Sequence, residues 1–210
     1  MLIALILTLL FGGCSTNSNN YIIEGTTAQS GYYYLCDGYE VVDSAKIVNG
    51  EYRFEGAIDP LNPTLNISSS NLSSTIDLIR FAQLILEPGV IKVSEDDNSP
   101  TGGLNICGTK GNESLAKFAT KGVAIQEGIR HSFTREQKDE YMEQYHRLVL
   151  RTIKSNNDNF AGVILLHTSG ERFSIEQRTK LYNSLSKQMK KSQMAQNIAS
   201  ELNIEQTTTK

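Results

Sequence analysis

Residues 46–56 read KIVNGEYRFEG, and this segment indicates how the first half of the chain folds. Asn49 and Gly50 both tolerate positive φ, which the two central residues of a type I′ turn require. After the turn, apolar and charged residues alternate, so Tyr52 and Phe54 share one face of a strand. The segment therefore predicts a tight β-hairpin with one buried face and one face in water.

Short segments of similar character recur from residue 21 to residue 108, and polar or glycine-containing turns separate them. They read YIIEGT, GYYYLCD, DSAKIV, EYRFEG, TLNIS, FAQLILE, VIKVS and LNICG. ILEPGVIKV predicts a second hairpin, which turns at Pro88 and Gly89. Closely spaced short strands predict an antiparallel β-sandwich or curled sheet over residues 21–109.

The hydrophobic period changes to that of helices after Gly108. Thr134 with Gln137, and Ser174 with Gln177, have the spacing of helix-starting capping boxes. Strands that all precede helices exclude alternating βαβ units. The pattern predicts an α+β fold, with a helical bundle over residues 110–203 and a linker-like tail at 204–210.

The N-terminal segment is apolar up to Phe11 and then changes abruptly at Gly12, Gly13 and Cys14. Cys14 could end a membrane helix, lie in a core, or mark a site of cleavage and anchoring. The apolar run is too short to span a bilayer and has the length of a signal-peptide core. Because the run resembles a bacterial lipobox, we predict a signal peptide at 1–13, a lipidated Cys14 and a polar tether at 14–20.

The residue after Cys14 is not Asp, the residue associated with retention at the inner membrane, since Ser15 and Thr16 follow. We therefore expect a cell-envelope protein that is anchored in the outer membrane and faces the periplasm. Twenty basic and 23 acidic residues give a net charge of −3, which indicates no nucleic-acid partner. In an oxidising compartment, Cys36 and Cys107 form a possible disulfide, the alternative being two separate buried thiols.

Chemistry-bearing motifs are few. His131, His146 and His167 lack the spacing of a zinc site, and no P-loop, GxSxG elbow or CxxC occurs. The sequence predicts no catalytic residues, no metal and no cofactor. One functional hypothesis is a small-ligand binder that uses the tyrosines of GYYYLCDGY. In a strand, however, Tyr33 would face opposite to Tyr32 and Tyr34.

Several segments together resemble the N-terminal accessory domain, of unknown function, in lipid-anchored TlpA/ResA-like thiol-disulfide oxidoreductases of Gram-negative bacteria. They are VVDSAKIVNGEYRFEG, ILEPGVIKV, LNICGTKGNESLAKF, NFAGVILL and FSIEQRTKLYNSL. The positions that carry the resemblance are Asp43, Ser44, Ala45, Asn49, Gly50, Tyr52, Phe54, Gly56, Glu87, Pro88, Gly89, Gly108 and Asn112. The resemblance covers about residues 21–202.

The resemblance implies a module that docks a thioredoxin-like protein or a client, or that self-associates, without a catalytic site of its own. The thioredoxin domain of that family is not in this sequence. The alternative is therefore the N-terminal part of an oxidoreductase whose redox domain lies beyond residue 210. Asp43-Ser44-Ala45 also resembles a short O-glycosylation site of periplasmic proteins, and the alternative role of Ser44 is simply to begin a strand.

Overall fold

A computed structural model describes residues 19–38, 40–70, 80–100 and 103–204. The predicted signal peptide, Cys14 and nearly all of the predicted tether and tail lie outside these ranges. Within them, no helix combines the length and the apolar character that crossing a membrane requires.

Among the described residues of the first half of the chain, eight strands form, one in each segment that the sequence predicts. They are β1 Asn20–Thr26, β2 Tyr32–Asp37, β3 Glu40–Lys46, β4 Glu51–Ala57, β5 Thr64–Ser68, β6 Phe81–Ile85, β7 Gly89–Glu95 and β8 Leu104–Cys107.

The strands are arranged in two four-stranded sheets. One sheet has the order β4-β1-β7-β8, and the other has the order β3-β2-β5-β6. All pairs are antiparallel except β1 with β7, which run parallel, so the first sheet is mixed. The predicted α+β class, with a β-sandwich followed by helices, is confirmed.

Both predicted hairpins are wrong in their pairing, although the turns lie where the sequence places them. Asn49 and Gly50 have φ values of 53° and 80°, as a type I′ turn needs. A single bridge, between Val48 and Glu51, pairs the residues on either side of the turn. The hairpin extends no further, because β3 belongs to one sheet and β4 belongs to the other. The Pro88-Gly89 turn likewise connects β6 to a strand of the opposite sheet.

The described helices all follow the strands. They are α1 Lys110–Arg130, α2 Arg135–Ser155, α3 Phe160–Ser169, α4 Ile175–Ser184 and α5 Gln193–Glu201. Both predicted capping boxes are present, because the Thr134 and Ser174 side chains accept hydrogen bonds from the backbone N–H groups three residues later. Nearly all of α3 is buried, and it forms the centre of the helical region.

Each region has its own hydrophobic core. Tyr33, Leu35 and Ile91 are among the fully buried residues between the sheets, and Ile153, Leu166 and Ile198 are among those between the helices. The two cores meet at β6, because Ile85 belongs to this strand but packs in the helical core.

Asn112 joins the two regions. Its side-chain Oδ1 accepts a hydrogen bond from Ile85 N–H at 3.0 Å, and its Nδ2 donates to Ile85 C=O at 2.7 Å. The amide thus pairs with the end of β6 as a neighbouring strand would. The Glu87 carboxylate accepts from Gly111 N–H at 2.8 Å, and so caps the start of α1.

The tight passage from β8 into α1 depends on Gly108. Its φ is +93°, and a Cβ at this position would lie 2.3 Å from the Val90 carbonyl oxygen. Glu87, Gly108 and Asn112, which the sequence singles out by resemblance, therefore have structural roles at the junction.

Candidate functional site

The site residues that the sequence predicts are dispersed. Cys14 lies outside the described residues. Cys36 is a buried free thiol in β2, and burial raises the pKa of this thiol. Cys107 is a partly exposed free thiol in β8 of the opposite sheet. The possible disulfide is not formed in this structure, where both cysteines are free thiols.

Ser44 lies on β3 and is exposed. Its backbone N–H donates to Asp43 Oδ1 at 2.7 Å, so the Asp-Ser pair forms a local contact on an open strand. The position is accessible to a modifying enzyme, and O-glycosylation of Ser44 stays a prediction.

The histidines are separated from one another. His131 follows α1, His146 lies on α2 with its ring centroid 4.9 Å from that of Phe173, and His167 lies on α3. Among the described residues, no group of three His, Cys, Asp or Glu side chains is placed to hold a metal ion.

The tyrosines of β2 divide between the two faces of the sheet, as the sequence predicts. Tyr33 is fully buried and stacks on Tyr52, with ring centroids 4.1 Å apart, whereas Tyr32 is 47% exposed. The Tyr32 and Tyr34 ring centroids are 6.4 Å apart on the outer face. Of the three described tyrosines in this cluster, one therefore serves the core, and the other two form only a small aromatic patch on the outer face.

A polar network at one end of the sandwich surrounds Glu95. Its Oε1 accepts hydrogen bonds from Thr27 Oγ1 at 2.6 Å and from Tyr33 Oη at 3.0 Å, and lies 3.4 Å from Arg80 Nε. Burial raises the pKa of Glu95, but these hydrogen bonds and the Arg80 charge outweigh burial and lower the pKa overall.

Arg80 completes the network. It also donates to the Gly103 carbonyl at 2.8 Å and to Asp97 at 2.6 Å. Because the guanidinium and the Glu95 carboxylate each have several partners, the network ties β2, β7 and the start of β6 together. We assign it to stability rather than to chemistry.

An open groove of about 900 Å³ crosses the outer face of the β4-β1-β7-β8 sheet. Arg53, Glu24, Lys92 and Cys107 lie side by side on its neighbouring strands. Arg53 is already paired with Glu24 at 2.6 Å and with Glu55 at 3.3 Å. Since opposite charges alternate across the strands, this face has no strong preference for the charge of a ligand.

The α1–α2 hairpin presents the most exposed aromatic side chain of the described residues. Gly122 and Gly128 of α1 lie against Tyr145 and Tyr141 of α2, so the helices run antiparallel. Phe133 lies in the connection between them and is 95% exposed. Aromatic residues are enriched at the energetic centres of protein–protein interfaces.

The backbone at this tip is held in place. The Gln137 side-chain oxygen accepts hydrogen bonds from the backbone N–H of Phe133 at 3.0 Å and of Thr134 at 3.3 Å. The Thr134 hydroxyl in turn accepts from Gln137 N–H at 3.2 Å. The capping box therefore fixes the position of Phe133 while the ring stays in water, an arrangement that reduces the entropic cost of docking.

A groove of about 920 Å³ lies along the same hairpin. Its apolar lining comes from Ala124, Ile125, Leu148 and Leu150. Its charged lining is wholly basic and consists of Lys121, Arg147, Arg151 and Lys154. A groove with an apolar floor and a cationic rim suits an amphipathic, acidic partner.

The sequence interpretation missed this hairpin as a site, although signals for it were present. The HSFT segment places a large aromatic residue directly before a capping box, in the short connection between two helical segments. The basic residues of α2 also recur at helical spacing after position 146. Neither signal has a motif's specificity, because exposure depends on what packs against the hairpin.

Comparison with protein families places part of this chain in a described family. Residues 21–115 match the family described as domain of unknown function (DUF4369). The chain matches no curated protein and no solved structure with significance. The match begins one residue after the first residue of β1 and ends in the second turn of α1, so it includes Asn112 and the junction as well as both sheets. Residues 21–115 of this chain are thus a DUF4369 domain, a domain of unknown function.

Proposed function

We propose that this protein is a lipid-anchored docking module of the cell envelope, which binds another protein through the tip of its α1–α2 hairpin and has no catalytic site of its own. The observation that carries the proposal is Phe133, which is 95% exposed on a backbone fixed by the Thr134–Gln137 capping box. Because the exposed ring makes few contacts within the chain, docking breaks few internal contacts. The ring also offers a large apolar area to a partner.

A thioredoxin-like protein is the partner that the sequence resemblance favours. The resembled accessory domains are joined to thioredoxin modules, and residues 21–202 carry the resemblance. The proposed acylation of Cys14, six residues before β1, would hold the module at the membrane. Attachment to the outer membrane on its periplasmic side is part of the same proposal.

The β3 strand is a second exposed surface, but it is less suited to docking. Val41 and Val42 are exposed there, and β3 pairs with β2 alone among the described strands. Glu40, Asp43 and Lys46 place charges along the strand, which is how natural proteins discourage the addition of another strand at a sheet edge.

Photo-crosslinking in the native host tests the proposal. A photoreactive phenylalanine analogue replaces Phe133 in the full chain, and a matched variant carries it at Leu61, which is 50% exposed in the sandwich region. We expect a covalent adduct of defined mass from position 133 and none from position 61. No adduct at 133, or the same adduct at both positions, would contradict the proposal.

The anchor has its own test. Metabolic labelling with a fatty acid is expected to mark the full chain and to be lost in Cys14→Ser. The Cys107→Ser variant is the control, since Cys107 is a partly exposed free thiol that should not affect labelling. Equal labelling of wild type and Cys14→Ser would contradict an anchor at Cys14.

A further inference from the structure

The face of α2 that points away from the helical core carries a charge pattern that is complementary to itself. Its members are exposed and follow one another at steps of three or four residues, which keeps them within about 40° of a common line along the helix. They are Glu136, Glu140, Glu143, Arg147, Arg151 and Lys154, here called the α2 stripe.

The signs in the α2 stripe are segregated. The three residues of the N-terminal half are acidic, and the three residues of the C-terminal half are basic. Within the chain, Glu143 and Arg147 form an ion pair at 3.2 Å. Among the described residues, four members of the stripe take part in no ion pair, so most of its charge is available to a partner: Glu136, Glu140, Arg151 and Lys154.

We infer that two copies of this chain pair through their α2 stripes in an antiparallel arrangement, so that the acidic half of each stripe faces the basic half of the other. The proposal deepens the proposed docking function and rests on it, because it names a second copy as one partner of the hairpin. An antiparallel pairing about a two-fold axis near residue 145 matches the spacing of the charges. It places Arg147 opposite Glu143, Arg151 opposite Glu140, and Lys154 opposite Glu136 of the second copy.

The groove beside the stripe favours a helix as its occupant. The basic half of the stripe forms one wall of the 920 Å³ groove between α1 and α2, where Ile125 and Leu150 contribute to the lining. Lys121 of α1 adds a fourth cation, and the lining includes no carboxylate. The acidic half of a second α2 supplies the complementary charge, and helix-in-groove packing then covers the apolar lining.

Sedimentation velocity of the full chain in mild non-ionic detergent tests the pairing. Wild type is expected to form dimers at low ionic strength and to dissociate as salt is raised, because exposed charge pairs are screened. Two triple variants are compared with it. The all-basic variant carries Glu136→Lys, Glu140→Lys and Glu143→Lys. The all-acidic variant carries Arg147→Glu, Arg151→Glu and Lys154→Glu. In each variant the whole stripe has one sign of charge, so two copies of the same variant repel each other.

Each triple variant alone should dimerise at least about tenfold more weakly than wild type. A one-to-one mixture of the two should restore dimers, because an all-basic stripe then faces an all-acidic one. Since only exposed residues change, circular dichroism should show an unaltered fold. Lys138→Glu, an exposed change on the opposite side of α2, is the control and should dimerise like wild type.

Two results would overturn the inference: a wild-type chain that stays monomeric at low salt, or a mixture of the triple variants that fails to restore dimers. If the triple variants instead lose a different protein that wild type captures as a monomer, the stripe serves a foreign acidic partner and self-pairing is wrong. The two proposals can fail separately. If self-pairing fails in sedimentation but the crosslink from position 133 to another protein persists in both triple variants, the proposed docking function stands without self-pairing.

Discussion

The β-sandwich and the α1–α2 hairpin place their charged side chains in opposite ways. In the sandwich, Arg80 and Glu95 are only 14% and 17% exposed and contact each other and their neighbours. Along α2, six charged residues share one face in solvent, and a fixed aromatic ring stands at the tip. Charged groups that are paired within a region contribute to its stability. Charged groups and apolar surface that stay exposed are instead available to bind a partner.

The largest expected effect lies at Asn112, where the two regions join. Asn112→Ala removes both hydrogen bonds to Ile85 and leaves a buried N–H and a buried C=O without partners. We expect the free energy of unfolding to fall by about 3 kcal/mol, measured by urea titration. Asn105→Ala, on an exposed position of β8, is the control and should change it by less than about 0.5 kcal/mol.

The same titration shows whether the regions unfold together. If Asn112 couples them, the variant should separate a helical transition from a sheet transition, so that circular dichroism and near-ultraviolet tyrosine signals no longer coincide. A variant as stable as wild type, with coincident signals, would mean that the junction does not depend on this amide.

Two glycines give a matched comparison of packing in the two regions. A Cβ at Gly25 would lie 1.9 Å from Tyr52 Cζ, in a ring that stacks on Tyr33 and cannot move aside. A Cβ at Gly122 would lie 3.4 Å from Tyr145 Cε2, an ordinary contact on a helix. Gly25→Ala should therefore destabilise the protein by about 2 kcal/mol, and Gly122→Ala should stabilise it by about 0.5–1 kcal/mol.

Thermal unfolding of the two glycine variants measures both effects. Opposite shifts of the melting temperature are expected, down for Gly25→Ala and up for Gly122→Ala. Equal losses in both variants would show that the hairpin is packed as tightly as the sandwich, and would remove the contrast between the regions.

The Glu95 network makes the stability of the sandwich depend on pH. The pKa of Glu95 is lower in the folded protein than its ordinary value of 4.5, so the ionised carboxylate stabilises the fold above that pH. This contribution is lost as the pH falls through the lowered pKa. Glu95→Gln should reduce the stability at pH 7 by about 1–2 kcal/mol and flatten its decline below pH of about 4.5.

Glu55→Gln is the control for Glu95, because the Glu55 carboxylate is 71% exposed beside Arg53. Urea titrations at a series of pH values compare the two variants with wild type. An acid decline in Glu95→Gln as steep as that of wild type would show that other carboxylates govern the acid stability of the sandwich.

The smallest expected effect on stability is at Phe133. Because its side chain is 95% exposed, Phe133→Ser should change the free energy of unfolding by less than about 0.5 kcal/mol. Its loss should nevertheless abolish capture of the partner identified by crosslinking, and Phe133→Leu should retain part of it. A Phe133→Ser variant that unfolds much more easily would indicate that the ring packs within the chain.

The sequence predicted local structure well and long-range pairing poorly. The Asn49-Gly50 turn, the alternation at Tyr52 and Phe54, and the two capping boxes each depend on residues within a few positions of one another. Which strands pair across the sheets depends on contacts distant in sequence, and an Asn-Gly pair specifies a turn without specifying whether its strands stay together. β3 and β4 diverge after a single bridge for this reason.

The candidate site was less predictable than the fold. Cys14, Cys36, Cys107 and Ser44 were chosen by residue type and resemblance, and the three that the structure describes are not gathered into one site. The charges of the α2 stripe could be read from helical spacing. The exposure of Phe133 could not, because an aromatic residue between two amphipathic helices is buried or exposed according to tertiary packing alone.

Hydrogen–deuterium exchange of the full chain, at protein concentrations above and below that of self-association, tests most directly whether this protein binds through its helices. At the higher concentration, amide exchange in α2 and in the facing part of α1 is expected to be slower than at the lower concentration. Exchange in the strands is expected to be the same at both concentrations. Slower exchange confined to β3, with none in α2, would contradict the account and assign binding to the edge of the sandwich.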